Sequence, residues 1–252
     1  MNSCYEYIDY RISNGLFDNF IDMVYILTLE NSTRTNNYMN QIHKYKISSR
    51  ITIQVNKGYK KCCKKLYQQN SVYDICDSYY NAFKHAKYNN YKTILIFEDD
   101  FFFDNINKST IDEIELFITN NKYHVYNLGP TFHISLPYTI LHHRSFFYMA
   151  AHAAIYSHLY IDYYIENYSK IKYSYDVIWN NINIIKYKYY KPLCYQLFIK
   201  TDNSQLWPGG ELTYSIIKLL NMNKHHQPGF NICNYGTYLF YIIIIIIIII
   251  IL

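Results

Sequence analysis

The sequence predicts an α/β domain built on one mostly parallel β-sheet with helices on both faces. Three observations lead there. The 252 residues are 50% hydrophobic and 17% charged, which is enough apolar surface to offset ordering entropy and bury a sizeable core. Short continuous apolar runs, of the kind that form strands buried on both faces, recur along the chain. Between them lie stretches with apolar residues at helical spacing, and this alternation is what crossover helices over a parallel sheet require.

Residues 22–29 (Asp-Met-Val-Tyr-Ile-Leu-Thr-Leu) read as the first core strand. A polar turn, 30–34, leads to Tyr38, Met39, Ile42 and Tyr45, spaced as on an amphipathic helix, and then to the alternating strand Ile51, Ile53, Val55. Residues 71–88 place Val72, Ile75, Cys76, Tyr79, Phe83 and Ala86 on one helical face behind Ser71, with Asp74 near the positive helix end. The strand 93–97 runs straight into Glu98-Asp99-Asp100. A helix over 111–119 and a strand over 124–128 continue the alternation. Residues 129–144, with Pro130, Pro137 and several histidines, read as a loop or short hairpin. A strand over 146–151, helices over 155–167 and 176–182, and a strand over 184–190 complete a domain set at residues 20–223.

Composition narrows the function. The 39 Ile, 32 Tyr, 26 Asn and 20 Lys have A+T-rich codons and point to an A+T-rich genome, such as that of a large DNA virus or a protist, more than to an activity. A net charge of +5 with dispersed lysines argues against nucleic acid as a partner. The one dense run, Lys60, Lys61, Lys64 and Lys65, reads as a solvated face. Six cysteines without a C-x-x-C pair suggest a reducing compartment and no disulfide framework. The first ten residues carry Glu6 and Asp9 and do not read as a secretory signal. Residues 238–252 are entirely apolar or aromatic and include ten consecutive isoleucines, Ile242 to Ile251. Fifteen residues fall short of the roughly 17–25 that span a bilayer, so this tail reads either as a low-complexity expansion or as a short membrane anchor. The expectation is a cytoplasmic protein, membrane-associated only if that tail anchors it.

The acidic triplet is where chemistry is expected. Adjacent carboxylates at the end of a buried strand repel each other and lose solvation, so a positive group must compensate. Open α/β sheets bind ligands at the carboxyl ends of their strands, and Mg²⁺ or Mn²⁺ there takes one or two carboxylates plus substrate diphosphate oxygens. Side-chain alternation would put Glu98 and Asp100 on one side and Asp99 on the other. An acidic turn with lysine counterions is the plainer alternative. No G-x-x-x-x-G-K-[ST] or G-x-G-x-x-G motif is present, and the chain has only seven glycines with which to cradle phosphates.

These segments resemble family 25 glycosyltransferases. The strand 24–29 through Arg34 looks like that family's opening strand and Arg-containing turn. Ile94 to Phe97 with Glu98-Asp99-Asp100 resembles its apolar strand plus Glu-Asp-Asp. Ala150 to Ile155 with the following helix, and Pro192 to Gln196 with Asn203-Ser204, are similar to later segments, so the match spans about residues 20–207. Where the family usually carries Ser-His before the acidic strand, this chain has Ser78-Tyr79. The resemblance implies a GT-A, Rossmann-like fold and transfer of a hexose from a nucleotide-sugar, often a UDP-sugar, with Mn²⁺ or Mg²⁺. Asp100 would be the first metal ligand, Glu98 and Asp99 would complete the site or bind the ribose, and Arg34 would face the nucleotide. The acceptor would be a hydroxyl on a glycan, a lipid-linked glycan or a protein.

An inverting transfer needs a general base for the acceptor hydroxyl. Asp176, among Tyr175, Val177, Ile178 and Trp179, is the candidate, although an Asp opening a helix also serves as a cap. Asp162, Glu166 and Asp202 are reserves. His133, His142, His143 and His152 stand in no metal-ligand spacing and read as core or loop histidines. Competing readings are a catalytically dead binding module on the same sheet, another metal-dependent nucleotide enzyme, and a membrane-anchored structural protein.

Overall fold

The structure, a computed structural model, describes residues 4–104, 106–131, 133–178, 180, 184–197, 210–221 and most of 238–250. A nine-stranded sheet runs through the molecule in the order β1-β3-β2-β4-β9-β6-β10-β8-β7. Its strands are β1 (Tyr5–Tyr10), β2 (Met23–Leu29), β3 (Ile51–Asn56), β4 (Thr93–Glu98), β6 (Val125–Asn127), β7 (His133–Pro137), β8 (His142–Tyr148), β9 (Ala153–Ser157) and β10 (Lys186–Tyr189). A two-stranded ribbon pairs β5 (Phe101–Phe103) with β11 (Cys194–Gln196). Strand β2 is parallel to both β3 and β4, and β10 is parallel to β6, whereas β1, β8 and β9 run against their neighbours.

Helices cover both faces. On one side α1 (Thr35–Tyr45) and α3 (Lys108–Asn120) bury Tyr38, Ile42, Ile111, Ile114 and Phe117 against Val24, Ile26, Leu95 and Phe97. On the other, α2 (Ser71–Tyr88), α4 (His158–Asn167) and α5 (Tyr175–Ile178) bury Tyr79, Phe83, Tyr160, Tyr164 and Tyr175 against Tyr25, Ile94, Ile96 and Tyr156. Alternation within β2 and β4 sends successive side chains to these two cores, so Met23 to Leu27 and Ile94 to Phe97 are continuous apolar runs.

Several expectations shift. Strand β1 precedes the expected 20–223 unit and joins its sheet as an antiparallel edge strand on β3. Its mixed Tyr-Glu-Tyr-Ile-Asp-Tyr pattern buries only Tyr5 fully, so it lacks the apolar run of a central strand. The irregular 129–144 region and the expected strand over 146–151 resolve into the β7–β8 hairpin. The helix expected from Ile155 begins at His158, because 153–157 form β9, the antiparallel strand between β4 and β6. Cys4 and Cys62 form a disulfide, against the expectation of free thiols, because β1 carries Cys4 to the loop after β3, where its carbonyl accepts the Lys57 N–H. Lys64 is not solvated: it is 4% exposed, although Lys60, Lys61 and Lys65 are exposed as expected. Among the described residues, no helix is long and apolar enough to cross a membrane.

Candidate functional site

The registers Leu29–Asn56 and Leu27–Glu98 bring the carboxyl ends of β2, β3 and β4 to one edge of the sheet. A cleft of about 500 Å³ opens there. The turn after β2 and the Lys57–Lys61 loop line one part of it, the start of α2 another, and Glu98, Asp99, Asp100 and Gln196 its floor. This is where an open α/β sheet is expected to hold a ligand.

Arg34 and the acidic triplet meet in this cleft. The Arg34 Nη1 lies 2.7 Å from Asp99 Oδ1 and 3.3 Å from Asp100 Oδ2. Asp99 Oδ2 also accepts the Thr28 hydroxyl at 2.9 Å and the Ser32 hydroxyl at 2.6 Å, so both of its oxygens are engaged. Asp100 Oδ2 accepts Gln196 Nε2 at 3.2 Å, while Asp100 Oδ1 is buried and has no hydrogen-bond partner among the described residues. The alternation expected across the triplet fails because β4 ends at Glu98 and Asp99-Asp100 turn, which lets both carboxylates face Arg34. Glu98 stays in the strand and points to α2, where the Tyr79 hydroxyl shares its proton between Glu98 Oε1 at 3.0 Å and the Ala151 carbonyl at 2.9 Å. Tyr79 is therefore a buried support for Glu98.

Charge in the site is unevenly compensated. Burial pushes the Asp100 carboxyl up to about 6; Arg34 pulls it down and Asp99 pushes it further up. Burial opposes the Arg34 charge, but Asp100 and Asp99 outweigh it and raise the guanidinium pKa. A buried carboxylate oxygen without a donor costs about 1–3 kcal/mol or more, so a cation at Asp100 Oδ1 would relieve it. The donor set suits a hard divalent ion that takes one or two carboxylates and completes its shell with water and phosphate oxygens. Among the described residues, no group of three or more His, Cys, Asp or Glu could hold a metal by itself.

The remaining candidates lie elsewhere. Asp176 belongs to α5, and its side chain lies outside the described residues. Tyr175, just before it, stacks on Tyr79 with ring centroids 3.5 Å apart, so α5 adjoins the Glu98 side of the site. Asp162 forms a half-exposed ion pair with Lys87, Glu166 is exposed on α4, and Asp202 lies outside the described residues. His133, His142 and His143 sit in β7 and β8, and His152 just before β9: His142 stacks on Phe117 and bonds Tyr126, His133 bonds Ser135, and His152 bonds the Cys194 carbonyl. Burial lowers His142, His143 and His152 to about 4, so they are neutral near pH 7.

Sequence reasoning gave Gln196, Thr28 and Ser32 no role. Thr28 and Ser32 are signalled only as polar residues at the end of an apolar strand and in the turn after it; Gln196 stood in the segment resembling family 25, but it reaches the site through the β5–β11 pairing of Gln196 with Phe101, which no periodicity announces.

No protein-family profile and no curated protein matches the chain. Solved structures align with it, two of them as follows. One is A197 from STIV, 10% identical over 71% of this chain and 86% of that one, with a TM-score of 0.45. The other is a glycosyltransferase involved in the glycosylation of the major capsid of PBCV-1, 8% identical over 71% of this chain and 96% of that one, with a TM-score of 0.43. At these identities and scores the alignments carry no weight in assigning a function.

Proposed function

We propose that the protein is a metal-dependent glycosyltransferase of the family 25 type, moving a hexose from a nucleotide-sugar to a hydroxyl on a glycan, a lipid-linked glycan or a protein. The observation that carries this reading is the pair Asp99 and Asp100 beside Arg34 at the ends of parallel strands, with Asp100 Oδ1 buried and unpaired among the described residues. Mn²⁺ or Mg²⁺ held by Asp100 would stabilise charge on the leaving diphosphate by Lewis-acid action. The chain's own groups would then divide the work. Asp99, already fixed by Thr28 and Ser32, holds Arg34 in place, and Arg34 presents its remaining N–H groups to phosphate oxygens. Glu98, held by Tyr79, lies on the side of α5, where Asp176 is assigned as the base that accepts the acceptor hydroxyl proton in an inverting transfer.

Calorimetry with UDP and UDP-sugars, with and without Mn²⁺, tests the donor class. Binding that needs the ion and is lost in Asp100→Ala is the expected result, and unchanged binding in excess chelator would overturn the metal role. Asp176→Asn should leave donor binding intact and slow transfer by about a hundredfold or more. An Asp that only caps α5 would tolerate Asn with little change in rate.

A further inference from the structure

We propose that the β7–β8 hairpin and the C-terminal helix form a face that lies flat on an anionic lipid surface. Three independent features converge on that face. The first is uncovered apolar area. The register sets Ile134 opposite Phe147 and Leu136 opposite Arg144, so these four share one side of the hairpin, and all three apolar members are exposed. The turn at its tip carries Ile140, 92% exposed, next to an exposed Tyr138.

The second feature is charge. Up to residue 120 the chain carries fourteen basic and fourteen acidic residues; beyond it stand ten basic and five acidic, so the whole net charge of +5 lies in the later half. From Asn121 to Ile161 there is no Asp or Glu at all. Exposed Lys122 lies beside the tip, because the Tyr138 hydroxyl bonds neighbouring Asn121. Exposed Lys191 does too, since neighbouring Tyr190 donates its N–H to the Leu141 carbonyl. With Arg144 they form a cationic rim around apolar side chains, the pattern that binds anionic headgroups. Glu113 on α3, which acts on the buried His142 of β8, is half-buried and bonded by the Tyr189 hydroxyl.

The third feature is the tail. Its described residues between 238 and 250 are helical, and the isoleucines among them remain 47–77% exposed. A helix that is apolar all round needs a non-aqueous environment, and among the described residues no helix is long and apolar enough to cross a bilayer. The tail is tied to the same edge of the sheet: the Tyr241 hydroxyl accepts the Ser135 N–H, and the Tyr238 hydroxyl donates to the Tyr190 carbonyl at 3.2 Å. Hairpin tip and tail thus adjoin one surface. A second copy of the chain fits less well, because edge strand β7 already spends the Ser135 N–H on Tyr241, has no N–H at Pro137, and would meet its own positive rim.

The test is flotation of the full chain with phosphatidylcholine vesicles, with and without phosphatidylserine. The wild type should float only with the anionic vesicles and be released at high salt. A double substitution at exposed positions, Leu136→Asp with Ile140→Asp, leaves the tail intact and should cut the bound fraction about tenfold or more, as should Lys122→Glu with Lys191→Glu. Unchanged melting curves for these variants exclude misfolding as the cause. Flotation that persists in either variant, that is equal on neutral vesicles, or that is replaced by a dimer in sedimentation velocity would overturn the proposal. The outcome does not depend on nucleotide binding, which is measured separately and should be the same in all four proteins: wild type, each double variant and their combination.

Discussion

Two clusters of buried charge flank the same cleft, each with two carboxylates and one cation, and they differ in a single oxygen. In the first, Lys64 gives its three protons to Asp74 Oδ1 at 2.6 Å, Asn56 Oδ1 at 2.6 Å and the Tyr5 hydroxyl at 2.7 Å. Asp74 Oδ2 accepts Asn56 and the Tyr59 N–H, and Asp77 accepts the Tyr5 and Tyr168 hydroxyls, so every oxygen has a donor. In the second, Arg34 serves Asp99 and Asp100, and Asp100 Oδ1 has no donor among the described residues. A buried network satisfied at every atom is complete and rigid, whereas one left short of a donor keeps a place for something the chain does not supply. The Lys64 cluster is accordingly read as scaffold, tying β1, the loop after β3 and α2 together, and the Asp100 cluster as the site.

The most severe way to break this comparison is to remove each cation. Lys64→Met should cost about 3–5 kcal/mol in chemical denaturation, because two buried carboxylates lose their counterion. Arg34→Met should cost clearly less, since Asp99 keeps its two hydroxyl donors and Asp100 can take up a proton. Equal losses would erase the distinction between scaffold and site.

A smaller effect separates them by pH. The Asp100 pKa rises from 3.8 to about 6 on folding, so the folded state binds a proton more tightly than the unfolded state does. Ligand-free stability should therefore fall as pH rises from about 4 to about 6, by about 2–3 kcal/mol at most, and stay level above that range. Asp100→Asn should flatten that slope and be at least as stable as the wild type at pH 8. Denaturant titrations of both proteins across this range give the answer, and an unchanged slope in the variant would place the titration elsewhere.

The first three core strands and their shared edge were legible because β2 and β4 carry continuous apolar runs, β3 alternates Ile51, Ile53 and Val55, and the crossover connections between them make the three parallel, so their carboxyl ends lie at one edge. The partnership of Asp99 with Asp100 was not legible, because strand alternation assigns them to opposite sides and only the turn after Glu98 brings them together. Lys64 was misread for a related reason: a lysine in a basic run defaults to solvent, and what buries it is Tyr5 and Asp77, 59 residues before it and 13 after. Strand β9 was hidden because Ala153-Ala154-Ile155-Tyr156 flows into α4 without a breaking residue, so one apolar stretch serves two elements. In each case the deciding contact is non-local, and local periodicity carries no trace of it.

Gln196 offers a finer probe of the unsatisfied cluster. Its Nε2 is one of two donors to Asp100 Oδ2 and lowers the pKa of that carboxyl. Gln196→Ala should cost about 1 kcal/mol and move the stability slope upward in pH, because the charged form loses a donor while burial stays. A slope that moves down instead would mean that water enters the vacated space and solvates the carboxylate.

The smallest expected effect concerns backbone strain, which also divides the two clusters. Gly58, beside Asp74, has φ +78°, and Ala150, before the Ala151 carbonyl that bonds Tyr79, has φ +77°. The same left-handed conformation is thus filled by glycine on the scaffold side and by alanine on the side of Glu98. An L-residue there costs about 1–2 kcal/mol, part of which glycine would return as greater freedom of the unfolded chain. Ala150→Gly should therefore stabilise by about 0.5–1 kcal/mol, and Gly58→Ala should destabilise by about 1 kcal/mol. A Cβ at Gly58 would meet only Leu29 Cδ2 at 3.7 Å and Asp74 Oδ2 at 3.9 Å, so its cost lies in the backbone and not in a clash. If Ala150→Gly is instead destabilising, the methyl group is holding the Tyr79–Glu98 support in place through packing, and the strain on that side of the cleft serves the geometry of the site.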